Sequence, residues 1–328
     1  MKPYPKAKRE NTEGMGSGRT LSPIYLDESE SFENVVVLKR RPRRRRIVFG
    51  WYGGKFSHLD WLLPLLPRSH HYCEPFAGSA AVLLNRHPAS VETYNDIDGE
   101  VCNFFRVLRD QKNELIEVIA LTPFSREEFA LACQLDPILS PLERARRFYV
   151  RARQVRTGLA QTATIGRWAN CKNTSRSGMS GVISRWLGGV EMLPEIASRL
   201  LRIQIENRPA TDVIRLYDSP ETLFYCDPPY IHTTRGDSNA YGYEMTDDQH
   251  RELACVLNAA QGMVAVSNYP CSLMDKLYPA GKWWKTLGPL KTNHATKGLR
   301  REALWTNYDP RKIREGRSES NGHLFQDT

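Results

Sequence analysis

Asp227-Pro228-Pro229-Tyr230 sets a carboxylate, two proline carbonyls and a phenol ring directly behind the apolar run Thr222-Leu223-Phe224-Tyr225-Cys226. The run reads as a buried strand, and the prolines end it because neither carries an N–H for a sheet ladder. An exocyclic amine on a planar base could donate to the Asp227 carboxylate and to the Pro228 carbonyl, while the Tyr230 ring stacks on its face. Such a site fits a nucleobase turned out of its helix. The same four residues would serve equally as a turn closing a core strand, so the rest of the chain has to decide.

The flanking segments predict what positions this turn. Short apolar runs alternate with helical patterns: strands at 71–74 and 91–95, with helices over 79–85 and 100–108. Later come a strand at 203–206, a helix over 211–217 and the strand that ends at Asp227. A helix over 247–260 and strands at 263–267, 283–287 and 302–308 follow. The alternation predicts an α/β fold with a Rossmann-like, doubly wound sheet, its late strands close enough to include an antiparallel pair. In an open sheet of that kind ligands bind at the carboxyl ends of the strands, where Asp227 would lie.

The middle of the chain breaks this rhythm. Ser125-Arg126-Glu127-Glu128 and Ser140-Pro141-Leu142-Glu143 are helix-capping patterns, the second with proline at the first helical position. Arg144, Arg146, Arg147, Arg151 and Arg153 follow, then a Gly/Ser/Thr-rich stretch holding Arg167, Trp168, Lys172, Arg176, Arg185 and Trp186. The reading is a mostly helical insertion over 111–202 with a basic loop, dividing a sheet domain into 47–110 and 203–310. Residues 1–46 read as a disordered basic arm, and 311–328 as a tail.

Of 328 residues, 41% are hydrophobic and 25% charged, which is ordinary for a globular chain. The net charge of +9 points to a polyanionic partner. Lys39, Arg40, Arg41, Arg43, Arg44, Arg45 and Arg46 concentrate part of it, as a solvated run or a sequence-blind phosphate contact. The seven cysteines are scattered without a C-x-x-C pair, so neither a metal site nor a disulfide framework is expected. No apolar stretch is long enough for a membrane span, and no signal peptide opens the chain, which leads to an expected cytoplasmic, reducing location.

A second constellation surrounds Gly78. Glu74-Pro75-Phe76-Ala77-Gly78-Ser79-Ala80-Ala81 joins a strand to a helix with small residues, letting backbone approach a ligand. Asn95-Asp96-Ile97-Asp98 ends the next strand with an acid well placed for ribose hydroxyls. Gly50-Trp51-Tyr52-Gly53-Gly54-Lys55 offers a flexible turn, an aromatic surface and a cation.

In this order the segments resemble the Dam-type adenine-specific DNA methyltransferases: Trp-x-Gly-Gly-Lys, Glu-Pro-Phe-x-Gly, an Asp-Ile pair, an inserted recognition region, then Asp-Pro-Pro-Tyr. Ser267-Asn268-Tyr269 is similar to the family's segment after the strand that follows. The resemblance covers about 47–310 and is weakest across the insertion. It implies N6 methylation of an adenine flipped from duplex DNA, in settings such as restriction–modification, with S-adenosylmethionine as donor and no metal. It places cofactor contacts on Trp51, Lys55, Asp96 and Asp227, with Glu74, Pro75, Phe76 and Gly78 beside them. Chemistry falls to Asp227, Pro228, Pro229 and Tyr230. The departures are Tyr52, where the family often has alanine, and Ala80, where a second glycine is common. Arg151, Arg153, Arg167, Lys172, Arg176 and Arg185 are candidate DNA contacts, and Lys291, His294 and Lys297 a further set; Trp168 and Trp186 read as packing residues. On the same fold, N4-cytosine enzymes usually carry Ser at the Asp227 position and glutamine-modifying ones Asn. An RNA acceptor remains open, as does a DNA-binding module without chemistry, although intact Asp227, Tyr230, Lys55 and Asp96 speak against the last.

Overall fold

A computed structural model describes residues 45–158, 160–176, 178–232, 242–292 and 299–313. Its strands in chain order are β1 (His71–Glu74), β2 (Val91–Asn95), β3 (Ser175–Arg176), β4 (Met179–Ser180), β5 (Gln204–Glu206), β6 (Thr222–Cys226), β7 (Met263–Asn268), β8 (Trp284–Thr292) and β9 (Leu299–Thr306). β3 and β4 form a small separate hairpin, and the other seven make one sheet in the order β5-β2-β1-β6-β7-β9-β8. The first five of these run parallel, and β9 is antiparallel to both of its neighbours, β7 and β8.

Side-chain alternation explains why the central strands are apolar throughout. Tyr72, Leu223, Tyr225, Ala265 and Leu304 point into one hydrophobic cluster. Their neighbours Cys73, Phe224, Cys226, Val264, Val266, Ala303 and Trp305 point into another, on the opposite face. Both faces are covered, as a parallel sheet requires.

The helices are α1 (Leu59–Leu62), α2 (Ala81–Asn85), α3 (Gly99–Asp110), α4 (Lys112–Ala120), α5 (Arg126–Ala132) and α6 (Pro141–Gln154). Then follow α7 (Gly181–Val190), α8 (Leu193–Leu200), α9 (Ala210–Tyr217), α10 (Asp247–Ala259) and α11 (Ser272–Leu277). Ser125 and Ser140 cap α5 and α6 through their side chains, accepting from Glu128 N and Glu143 N. The helix expected from residue 79 starts two residues later, because Gly78 and Ala80 adopt left-handed backbone with φ of 48° and 55°. The strand expected at 283–287 runs on to Thr292 past an irregularity between Leu287 and Leu290.

Helices α4 to α8 occupy the insertion, but they share a core with the sheet domain. Phe104 of α3 stacks on Tyr149 of α6 at 5.6 Å and meets Phe49 edge-on at 5.5 Å. Across this junction the Arg199 guanidinium of α8 reaches Glu92 of β2, hydrogen-bonding at 2.6 Å with both groups buried. Arg46 also corrects the expected arm boundary. It is only 8% exposed, donates to Leu84 O at 2.9 Å and pairs with Glu195 at 2.8 Å. It therefore belongs to the folded part, while 1–44 and 314–328 lie outside the described residues. No helix among the described residues is long and apolar enough to cross a membrane.

A charge left without its partner inside this junction is costly. Arg199→Ala should destabilise the protein by about 3–5 kcal/mol. Denaturant melts followed by tryptophan fluorescence and by circular dichroism should shift together, the outcome expected of one buried cluster shared by both parts.

Candidate active site

The sheet topology fixes where a ligand can sit. From β1 the chain proceeds outward through β2 to β5, then crosses back to place β6 on the other side of β1. The carboxyl ends of β1 and β6 therefore diverge at a switch point, the usual ligand crevice of such sheets. An open cleft of about 680 Å³, counting the solvent space at its mouth, lies there. Trp51, Lys55, Glu74, Phe76, Gly78, Asp96, Asp227 and Pro229 all line it. Pro75, Pro228 and Tyr230 are buried next to these lining residues in the chain.

One half of the cleft is built by the turns after β1 and β2. Ala77 N donates to Asn95 O at 2.9 Å, Gly78 N to the Asp96 carboxylate at 2.8 Å, and the Tyr94 hydroxyl to Gly78 O at 2.9 Å. Asn95 Nδ2 donates to Pro75 O at 2.8 Å. The turn is thus laced to the strand that presents Asp96. Burial pushes the Asp96 carboxyl up to about 6, against the pull of its bonds from the Asp98 and Gly78 amides. Those two bonds leave lone pairs on the carboxylate for a ligand's hydroxyls. Burial also raises Glu74 to about 8, opposed by the hydrogen bond from the Tyr72 hydroxyl at 2.6 Å. Trp51 closes this side, and a Cβ on Gly78 would lie 2.5 Å from its indole nitrogen.

The other half centres on Asp227. Its Oδ2 pairs with Lys55 Nζ at 2.8 Å, and its Oδ1 is buried without a hydrogen bond of normal length among the described residues. Burial raises the Asp227 carboxyl to about 6, against the lowering influence of the Lys55 ammonium. Burial also works against the Lys55 charge, yet Asp227 and Glu302 outweigh it and raise the amine's pKa. Lys55 lies 4.9 Å from the Tyr230 ring centroid, and that buried ring meets Tyr269 edge-on at 4.9 Å.

The family model for the D12 class of N6 adenine-specific DNA methyltransferases matches residues 51–288. The chain belongs to that family. It is 24% identical over 245 residues to the DNA N-6-adenine-methyltransferase of Escherichia phage P1, a match spanning 71% of this chain but 31% of the phage protein. It is 27% identical over 280 residues to the type II methyltransferase M1.LlaDCHI of Lactococcus lactis subsp. cremoris, spanning 79% of this chain and 94% of that protein. D12-class enzymes act on DNA and, as methyltransferases, draw on S-adenosylmethionine. Among the described residues of this D12 chain no acid, histidine or cysteine cluster could hold a metal ion.

The insertion's basic residues divide into two groups. Arg151 is corrected from a DNA contact to a structural residue: it is 5% exposed, donates to Ala132 O at 2.7 Å and faces Glu100 at 3.7 Å. Arg153 is half-buried, its guanidinium donating to Arg185 O. Neighbouring arginines of α6 are absorbed by Glu100, Glu128 and Glu143, acids that the run of basic residues masked in the sequence. Lys172, Arg176 and Arg185 are exposed, and Arg167 is half-buried. Trp186 is buried, and Trp168 donates to Gln154 at 3.0 Å, so both are packing residues. Lys291 donates to the Ser57 hydroxyl at 3.2 Å, while His294 and Lys297 lie outside the described residues.

Sequence reasoning passed over four members of this neighbourhood: Gln161 and Tyr243, which line the cleft, and His58 and Glu302, which stand behind Lys55. Gln161 donates to Asp98 at 2.7 Å and accepts from Gly242 N at 3.1 Å, but sits in a polar stretch without a motif. For Glu302 a signal existed, namely an acid inside an otherwise apolar strand.

Gly78→Ala combines a left-handed φ with a clash against Trp51 and should weaken cofactor binding by about tenfold or more. Isothermal titration with S-adenosylhomocysteine reads this directly. The wild-type affinity should also fall as pH drops through about 6, where Asp96 takes up its proton.

Proposed function

We propose that this chain transfers a methyl group from S-adenosylmethionine to the N6 amino group of an adenine flipped out of duplex DNA. The observation that carries the reading is the Asp227 carboxylate in the same cleft as Asp96, Lys55 and the Gly78 turn. Trp51, Gly78 and Asp96 would hold the cofactor, with Asp96 on its ribose hydroxyls. When bound, that cofactor supplies an activated methyl on a sulfonium, so the protein need provide neither nucleophile nor metal.

The remaining work is positioning and electrostatics. The adenine amino lone pair is delocalised into the ring and is a poor nucleophile. Asp227 Oδ1 and the Pro228 carbonyl accept hydrogen bonds from its two N–H groups, which favours a tetrahedral nitrogen with the lone pair aimed at the donor; one of the two protons departs once the N–C bond has formed. Lys55 keeps Oδ2 occupied and orients the carboxylate. Tyr230 would stack on the extruded base after moving from its packed position, a contact worth ~1–3 kcal/mol. Lys172, Arg176 and Arg185, with Arg167 and Arg153 behind them, would meet the DNA backbone or base edges.

Nucleoside mass spectrometry of duplex DNA incubated with the protein and S-adenosylmethionine should find N6-methyladenine; N4-methylcytosine alone would overturn the reading. Asp227→Ala should lower turnover by about a hundred- to a thousandfold, the scale for removing an electrostatic contact made in the transition state. With cofactor saturating, so that Asp96 no longer contributes, kcat/KM should fall as pH drops below about 6, because protonated Asp227 no longer accepts both contacts. Lys172→Ala and Arg176→Ala should each weaken binding at low salt and flatten the salt dependence by about one unit of slope.

A further inference from the structure

Behind Asp227, away from the cleft, stands a second acid that family membership does not account for. Glu302 is the fourth residue of β9, whose antiparallel course brings its first half, not its last, to the carboxyl edge of the parallel strands. Asn268 pairs with Ala303 in that register, one residue from Glu302. Glu302 is 8% exposed, and its Oε2 is 3.8 Å from Lys55 Nζ. Lys55 itself is 3% exposed.

An ammonium has three N–H bonds to place. Three oxygens surround Lys55: Gly53 O at 2.7 Å, Asp227 Oδ2 at 2.8 Å and Glu302 Oε2 at 3.8 Å. Asp227 Oδ1 and Glu302 Oε2 have no hydrogen bond of normal length among the described residues. The ammonium is therefore drawn toward two carboxylates at once and engages only one oxygen of Asp227. His58 stands 3.7 Å from Glu302 Oε1, but burial lowers its pKa to about 4, so at neutral pH it brings no competing positive charge.

We propose that Glu302 is a positioning residue for methyl transfer, holding the Lys55 ammonium on one oxygen of Asp227 so that the other stays open to the amino group of the base. This rests on the methyltransferase reading above and assigns it a residue outside the cleft wall. Without the Glu302 charge, Lys55 is free to swing between both Asp227 oxygens, and the acceptor loses strength.

The remaining neighbours are consistent with this division. The Asp227 carboxylate also hydrogen-bonds with Tyr230 on its own segment, a contact that yields when the Tyr230 ring moves to stack on the base, and it faces Glu74 from β1 and Tyr225 from β6. Glu302 also faces Lys291 from β8, and Lys55 also faces Tyr269 after β7. Of these, Lys291 is the further cation, and its ammonium is engaged by Ser57.

The test is Glu302→Gln, which keeps shape and removes charge. Its kcat should fall about tenfold while cofactor affinity stays within about threefold of wild type. The acid limb of its pH profile should move to lower pH, because a negative neighbour of Asp227 is gone. Wild-type kcat together with an unmoved acid limb would overturn the proposal, as would a loss confined to thermal stability or cofactor affinity. Should the variant fail to fold, Glu302→Asp retains the charge farther from Lys55; an intermediate fall in kcat supports the role, and wild-type kcat overturns it. Absence of methyl transfer by the wild-type chain in the same assay would count against the methyltransferase reading and the proposal together. An active wild type with an indifferent Glu302→Gln counts against Glu302 alone.

Discussion

Lys55 brings its ammonium to 2.8 Å from Asp227 in a place where the lysine is buried and the carboxylate keeps only a small exposed face. Two ions so placed cost desolvation energy, and their mutual attraction repays it only when the geometry is tight. Much of the surrounding structure supplies that geometry. The glycine turn before α1 lets Lys55 fold back onto Gly53 O, the two prolines stop β6 where Asp227 can face it, and β9 presents Glu302 from the far side. A fold that moved any of these segments would leave a buried charge without a partner.

The cleft then divides by strand. The turns after β1 and β2 supply backbone amides, small residues and Asp96, a surface suited to a nucleoside with hydroxyls. The end of β6 supplies a carboxylate and proline carbonyls, a surface suited to an amine. The switch point between β1 and β6 is the reason these two halves face each other across one cleft. The insertion shares a continuous aromatic core with α3 through Phe104, Phe148 and Tyr149, so it is anchored to the sheet domain.

Much of this was legible in the sequence, and for physical reasons. Strands buried on both faces leave unbroken apolar runs such as Thr222–Cys226, and proline and glycine punctuate turns because they restrict or widen backbone freedom. The cleft residues near Gly78 and Asp227 could therefore be read together. What stayed hidden depends on contacts distant in sequence. Arg151 looked like a surface cation because its acceptor, Ala132 O, and its acid, Glu100, lie on other helices. Arg46 looked like the end of a disordered run, yet Leu84 and Glu195 bring it inside. Glu302 gained meaning only once the antiparallel pairing of β9 brought it behind Lys55.

The proposed role of Asp227 is to act on the acceptor base through the oxygen that Lys55 does not engage. A crystal structure of the chain with S-adenosylhomocysteine and a duplex bearing its target adenine tests this most directly. The expected result is an extruded adenine whose amino nitrogen lies about 3 Å from Asp227 Oδ1 and from the Pro228 carbonyl, with Lys55 still on Oδ2. An extruded base whose amino group is bound elsewhere, with Asp227 engaged by Lys55 alone, would contradict it.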